Sequence, residues 1–269
     1  MTGKQGKWLL GACLAAALSA NHGQGPLDPL PDWVKQFARV KLHLRQNFER
    51  MPNYMCRENV ERFERASAHA RLVESDSLQF EVAQVDHKEL LARPGIGGFE
   101  DRELSAYMSS GLLGNGQFST LPMNLFVNGS PRITPHQERA DQPAAGIAYD
   151  FEIPAFLNGL TISARGAKAS VGVRGTFWVD AESLDLTRIE EHAVDIPATV
   201  GMSAVTTTVQ YGRMQIGVSS VVLPQSAEQM VTDLDGTERI NKVQFSTCRE
   251  YGSESTVTFG EPTEPAKKK

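Results

Sequence analysis

The spacing of apolar positions changes first at Pro52. Before it, Trp33, Phe37, Val40, Leu44, Phe48 and Met51 recur at steps of three or four, the period of one face of an α-helix. Arg39, Lys41, Arg45 and Glu49 occupy the other faces. Asp32 stands where an N-cap is expected, and Pro52 ends the pattern. Beyond Pro52 the period falls to two. Tyr54–Ala66 fits either period, since Cys56, Val60 and Phe63 suit a helix and Tyr54, Cys56 and Val60 a strand. The β-rich sequence that follows favours a strand. Leu78, Phe80 and Val82 alternate, and Asp86-His87 turns the chain toward Lys88–Ala92.

Two short helices are expected at Phe99–Ser110 and Thr120–Val127, flanking the Gly111–Gly116 break. From Pro131 onward the pattern is strand and turn. Candidate strands are Ile133–Arg139, Ile147–Ile153, Leu160–Arg165, Ser170–Asp180 and Leu184–Ile196. Val205, Thr207, Val209 and Tyr211 alternate in the next, followed by Met214–Leu223, Glu228–Leu234, Thr237–Tyr251 and a last short strand at Thr256–Phe259. Two turns are specified chemically. Asp180 can accept from backbone amides two residues on, and Asp235-Gly236 is a strong hairpin pair. Between them the pattern predicts antiparallel hairpins, each with one apolar face.

Composition adds a compartment. The chain is 41% hydrophobic and 22% charged, ordinary for a globular protein. Lys4 and Lys7, the apolar run Trp8–Ala17 and the small-residue site Leu18-Ser19-Ala20 have the order of an export signal. The run is shorter than the roughly 20 apolar residues of a membrane span, so no transmembrane span is expected after cleavage. Leu10-Gly11-Ala12-Cys13 resembles a lipobox, and the alternative to cleavage near Ala20 is a lipid anchor on Cys13. Loss of residues 1–20 removes two lysines and no acid, moving the net charge from −5 to −7. That balance excludes a general nucleic-acid binder. Cys56 and Cys248 remain. In an exported chain they are expected to form a disulfide, with two separate buried thiols as the alternative.

No motif carries chemistry. There is no His-Glu-x-x-His, Cys-x-x-Cys or Gly-x-Ser-x-Gly, so the common metalloprotease, thioredoxin-like and α/β-hydrolase arrangements are not indicated. His22, His43, His69, His87, His136 and His192 are widely spaced and are expected at the surface or core edge. Gly95–Gly98 and Gly111–Gly116 lack the strand and long helix of a phosphate loop. Asp233–Gly236 lacks the ligand series of a calcium loop. Glu58, Glu61 and Glu64 interleave with Arg57, Arg62 and Arg65 and suit a solvated charged face. No catalytic residue, metal or cofactor is assigned.

Three segments carry a resemblance. They are the amphipathic helix before paired strands, the hairpin GTFWVDAESLDLTRIEE, and the late unit VVLPQSAEQMVTDLDGTERINKVQFS with its break at Leu223-Pro224. In this order they resemble the outer-membrane lipoprotein carrier and sorting superfamily, over roughly residues 32–259. The chain is also similar to uncharacterised exported proteins of soil bacteria. The resemblance implies a half-barrel whose concave side is covered by helices and takes acyl chains or hydrophobic peptide. It therefore implies a binding protein and not an enzyme.

The expected fold is α+β: a large curved antiparallel sheet, the half-barrel, with an N-terminal amphipathic helix and short helices packed on one face. Residues 1–20 are read as signal peptide, 21–31 as lead-in, and 32–259 as a single domain with a helical insertion near 99–142. Residues 260–269 are read as a disordered tail. Trp33, Phe37, Leu44, Phe80, Val82, Phe177 and Val179 are the candidate ligand lining, and the same residues suit a filled core. The expected role is a periplasmic or secreted protein that shields an acyl chain or lipoprotein segment. The alternatives are a disulfide-stapled sensor or scaffold binding an envelope protein through Phe99–Gln142, and an exported hydrolase with a site assembled from distant residues.

Overall fold

The computed structural model describes residues 29–86, 88–92, 94, 121–137, 146–158, 160–164 and 167–252. The signal region with Cys13, the expected helix at Phe99–Ser110, the glycine runs at 95–98 and 111–116, His22, His87, the strand at Thr256–Phe259 and the tail lie outside them.

Helix α1 (Asp32–Glu49) buries Val40, Leu44 and Phe48, while Trp33, Phe37 and Met51 pack against the same core. Its start differs from expectation by one residue. Pro31 holds the N-cap position without a side-chain cap, and Asp32 is the first helical residue, paired with Lys35 at 3.0 Å. A proline there loses nothing, because its missing N–H would have been unsatisfied.

Twelve strands follow among the described residues. β1 (Tyr54–Arg65), β2 (Val73–Val85), β3 (Lys88–Ala92), β4 (Arg132–Pro135), β5 (Ile147–Ile153), β8 (Gly172–Val179), β9 (Leu186–Val194), β10 (Met202–Ile216), β11 (Ser219–Asp233) and β12 (Glu238–Glu250) form one ten-stranded sheet. β6 (Thr161–Ala164) and β7 (Ala167–Ser170) form a separate hairpin. The order is β3-β2-β1-β12-β11-β10-β9-β8-β5-β4, with every neighbouring pair antiparallel. The last strand thus returns to lie between the first and the eleventh. The architecture is the expected α+β half-barrel, an open antiparallel sheet with few, short helices.

Curvature follows from the packing. A single cluster joins Phe80 on β2 to Tyr149 on β5 and to Val40, Leu44 and Phe48 of α1. These strands are seven steps apart, about 34 Å across a flat sheet at about 4.8 Å each, more than the roughly 27 Å length of the 18-residue helix, so the sheet curls toward α1. Residues 121–123 continue into a π-helical turn, Asn124–Asn128, which places Leu125 and Phe126 in that cluster. The described part of the insertion also supplies the edge strand β4, which overlaps the expected strand Ile133–Arg139.

The two specified turns form as read. Asp180 Oδ1 accepts from the amides of Glu182 (3.0 Å) and Ser183 (2.8 Å), and Gly236 takes φ +88° between β11 and β12. Three strand boundaries differ. Ser170–Asp180 splits at Val171, whose side chain belongs with the β6–β7 hairpin in a second cluster containing Ile162, Val200, Met202, Val205 and Val231. The expected strand Met214–Leu223 is cut by a two-residue turn, Gly217-Val218, with Gly217 at φ +57°. Leu223-Pro224 in turn does not break β11. The register shifts between Gln210 and Tyr211, opposite Pro224, and β12 pairs with β11 only from Ser226. Pro224 thus sits beside a bulge and outside the β12 ladder, where its missing N–H costs no bond.

Cys56 and Cys248 are disulfide-bonded, with Cα atoms 4.1 Å apart. The β1–β12 register shifts between Met55 and Arg57, so that Thr247 and Cys248 together oppose Cys56. Thr247 adopts φ +52° in this bulge.

Candidate functional site

Antiparallel register aligns the concave face into rows. One row is Leu78, Val60, Val243, Ala227, Val209, Ile189, Phe177 and Tyr149, directly opposed across eight successive strands. All but Leu78 are buried, and Leu78 packs against the same cluster. Each residue is the inward member of an alternating strand, which is why the row is unbroken.

α1 covers this row. Phe37 lies 5.1 Å from Tyr149 and 6.5 Å from Phe177, ring centre to ring centre. Phe126 meets Phe177 edge-on at 5.0 Å, and Phe48 stacks on Phe126 at 6.1 Å. The structure therefore gathers Trp33, Phe37, Leu44, Phe80, Val82, Phe177 and Val179 into one cluster. They meet as mutually packed side chains. Phe177→Ala is expected to lower stability by about 4 kcal/mol in urea unfolding, because three rings lose contact with it at once.

Two polar ties hold α1 to the sheet. His43 Nε2 lies 2.9 Å from Asp185 Oδ1, and Arg213 donates to the same carboxylate through Nε (2.6 Å) and Nη2 (2.7 Å). Burial alone would raise the Asp185 pKa; the bonds from Arg213 and His43 outweigh it and hold it below the ordinary value. The second tie is Tyr149 Oη donating to Gln36 at 3.4 Å.

The alternating charges of β1 form a solvated face only in part: Arg57, Glu61 and Glu64 are exposed, as read, while Glu58 and Arg62 are not. Cys56, Glu58, Val60 and Arg62 all point inward, and Glu58 and Arg62 are only 4% and 7% exposed. A strand puts every second residue on one side whatever its charge. The signal was in the sequence: Glu58 and Arg62 keep the parity of Cys56 and Val60. Burial, reinforced by Glu89, pushes the Glu58 carboxyl up to about 8. Nearby, Tyr54 is raised by burial and by Glu89, and Tyr211 by burial, Glu191 and Tyr54.

The convex face carries a shallow groove of about 400 Å³ lined by Arg132, Thr134, Asp150, Glu152, Arg174 and His192, among others. His136 Nδ1 and Thr176 Oγ1 both reach Asp150 at 2.7 Å. Two arginines against two carboxylates leave no net field for a ligand of either sign. His43, His136 and His192 are part-exposed and His69 exposed, as read. Among the described residues no cluster of metal-ligating side chains occurs, and no helix is long and apolar enough to cross a membrane.

The fold and the covered concave face define a class, open antiparallel half-barrels with a helical cover. No family model matches the chain, and no curated protein matches it. Among solved structures, it is similar to a LolA superfamily protein from Nitrosomonas europaea, at 14% identity and TM-score 0.41, covering 79% of this chain and 94% of that one. It is also similar to a DUF1329 family protein from Desulfovibrio piger, at 10% identity and TM-score 0.39, covering 84% and 95%.

Proposed function

We propose that this chain is a periplasmic or envelope binding protein that shields a hydrophobic ligand, an acyl chain or a lipoprotein segment, between the sheet and α1. Residues 32–259 act as the single binding domain, without catalysis. The observation that carries the reading is the apolar row running across eight strands under one amphipathic helix.

Burial of an acyl chain is comparable with what holds the helix. α1 buries three side chains, worth about 4.5–9 kcal/mol at roughly 1.5–3 kcal/mol each. A sixteen-carbon chain gains about 12 kcal/mol at about 0.8 kcal/mol per methylene. The difference is available for the cost of association. Asp185 is the latch in this scheme. Asp185→Asn is expected to speed amide exchange across Asp32–Glu49 by about tenfold while leaving the β1–β12 pair protected, since it removes charge-assisted bonds from both Arg213 and His43. Equal acceleration in helix and sheet would count against a separately opening helix.

Mass spectrometry of protein isolated from its native envelope tests the function. Co-purifying acyl lipid or lipoprotein is the expected result. Lipid-free protein that also leaves a neutral apolar dye unbound overturns it. A second reading, a disulfide-stapled sensor or scaffold, is favoured by the packed rings of Phe37, Phe126, Tyr149 and Phe177. It predicts a crosslinked envelope protein and no lipid.

A further inference from the structure

A straight row of polar side chains separates two apolar clusters, the one beneath α1 and the one around Val205 and Val231. Asp76, Arg62, Asn241, Gln229, Thr207 and Glu191 stand directly opposite one another across β2, β1, β12, β11, β10 and β9. The row lies two residues, about 6.7 Å, along the strands from the apolar row. Its members from Arg62 to Glu191 are between 1% and 7% exposed.

Four of the six are bonded within the row. Arg62 donates two bonds to Asp76, at 2.5 and 2.6 Å. Asn241 Nδ2 donates to Gln229 Oε1 at 3.3 Å. The other end differs. The Thr207 hydroxyl is buried at 1% exposure and makes no hydrogen bond of full geometry. Burial pushes the opposed Glu191 carboxyl up to about 7, and Thr207 offsets only part of that rise. A buried hydroxyl left short of a full hydrogen bond costs part of the roughly 1–3 kcal/mol of an unmet one, so this hydroxyl, whose one contact is the Glu191 carboxyl, is suited to a group brought from outside.

We propose that this end of the row seats the polar head of an amphiphile whose hydrocarbon chain lies along the apolar row, with Thr207 and Glu191 as partners for a neutral ester or hydroxyl group. The inference rests on the hydrophobic-ligand reading above and adds the head-group chemistry. Thr207 both donates and accepts, and a carboxyl in its neutral form donates. Arg62, the cation of the row, is engaged by Asp76. An ionised carboxylate or phosphate would therefore be desolvated beside Glu191 with no charge to pair it. The site selects against anionic heads.

Titration with N-phenyl-1-naphthylamine, followed by competition with 1-monopalmitoylglycerol and with palmitate, tests this on wild type and Thr207→Val. The substitution keeps the side-chain shape and removes only the hydroxyl. Unchanged dye affinity with monoacylglycerol competition weakened about five- to tenfold supports the proposal. So does a preference of wild type for the monoacylglycerol over palmitate at pH 6, where Glu191 keeps its proton and free palmitate is ionised. Competition that is identical in both proteins overturns the head-group site and leaves the apolar reading standing. Failure of wild type to bind either dye or lipid overturns both. Glu191→Gln, a neutral isostere, is the second variant: retained monoacylglycerol affinity is expected, and loss comparable to that of Thr207→Val overturns the requirement for a neutral partner.

Discussion

Raising the pH from 5 to 7 is expected to destabilise this fold by about 4–5 kcal/mol, at about 1.4 kcal/mol per pH unit for each of two buried acids. Glu58 and Glu191 have folded-state pKa values raised by burial to about 8 and about 7. Between the ordinary value of 4.5 and those values the native state keeps a proton that the unfolded chain has released. Their stability contribution is therefore complete below about pH 4.5, falls as the pH rises, and is lost above the folded values. Asp76, Asp180 and Asp185 act with the opposite sign. Their lowered pKa values give stability that disappears only as the pH falls below the ordinary carboxylate range. The two sets leave a maximum at mildly acidic pH. Urea midpoints measured from pH 4 to 8.5 check this, and Glu58→Gln should remove about half of the slope. A midpoint that rises across pH 5–7 would contradict it.

Removing the Cys56–Cys248 bridge is expected to cost about 5 kcal/mol in a chain-entropy treatment, because it closes a loop with a sequence separation of 192. That is as large as the whole stability of many domains. The bridge joins adjacent strands, so its action is chiefly on the unfolded chain, where it keeps β1 beside β12. The double variant Cys56→Ala/Cys248→Ala should therefore unfold at much lower urea, and refold more slowly because its most non-local strand pair must be found by diffusion. Unchanged stability under reducing conditions would show that the unfolded chain already keeps those strands together.

Much of the fold was legible because strand parity is a local property. The α1 stripe from Trp33 to Met51, the Asp180 and Asp235-Gly236 turns and the period-two runs each follow from neighbours a few residues apart. Errors fell where a distant partner decides. Pro224 looked like a strand break because proline lacks a donor. It continues β11 because β12 does not pair with it and a bulge lies opposite. Gly217-Val218 lacks the usual Asn-Gly or Asp-Gly turn residues, so local pattern alone runs a strand through it. Glu58 and Arg62 were assigned to solvent on charge, although their parity with Cys56 and Val60 placed them inside.

The candidate site was legible only in part. Phe177, Val179 and the α1 residues were visible as apolar faces. The polar row was not, because Arg62, Asn241, Gln229, Thr207 and Glu191 are scattered over 180 residues of sequence. Thr207 carried one signal, its place within Val205, Val209 and Tyr211.

By itself the sequence determined the period of each segment, the face each residue would take and the hairpins that local turn chemistry closes. Those depend on backbone geometry and on side chains within one turn or strand. Tertiary structure alone decided which strands became neighbours, and therefore which inward residues line up. The insertion of β12 between β1 and β11 placed Asn241 beside both Arg62 and Gln229. Register, set by long-range pairing, turned isolated inward positions into one apolar row and one polar row lying side by side.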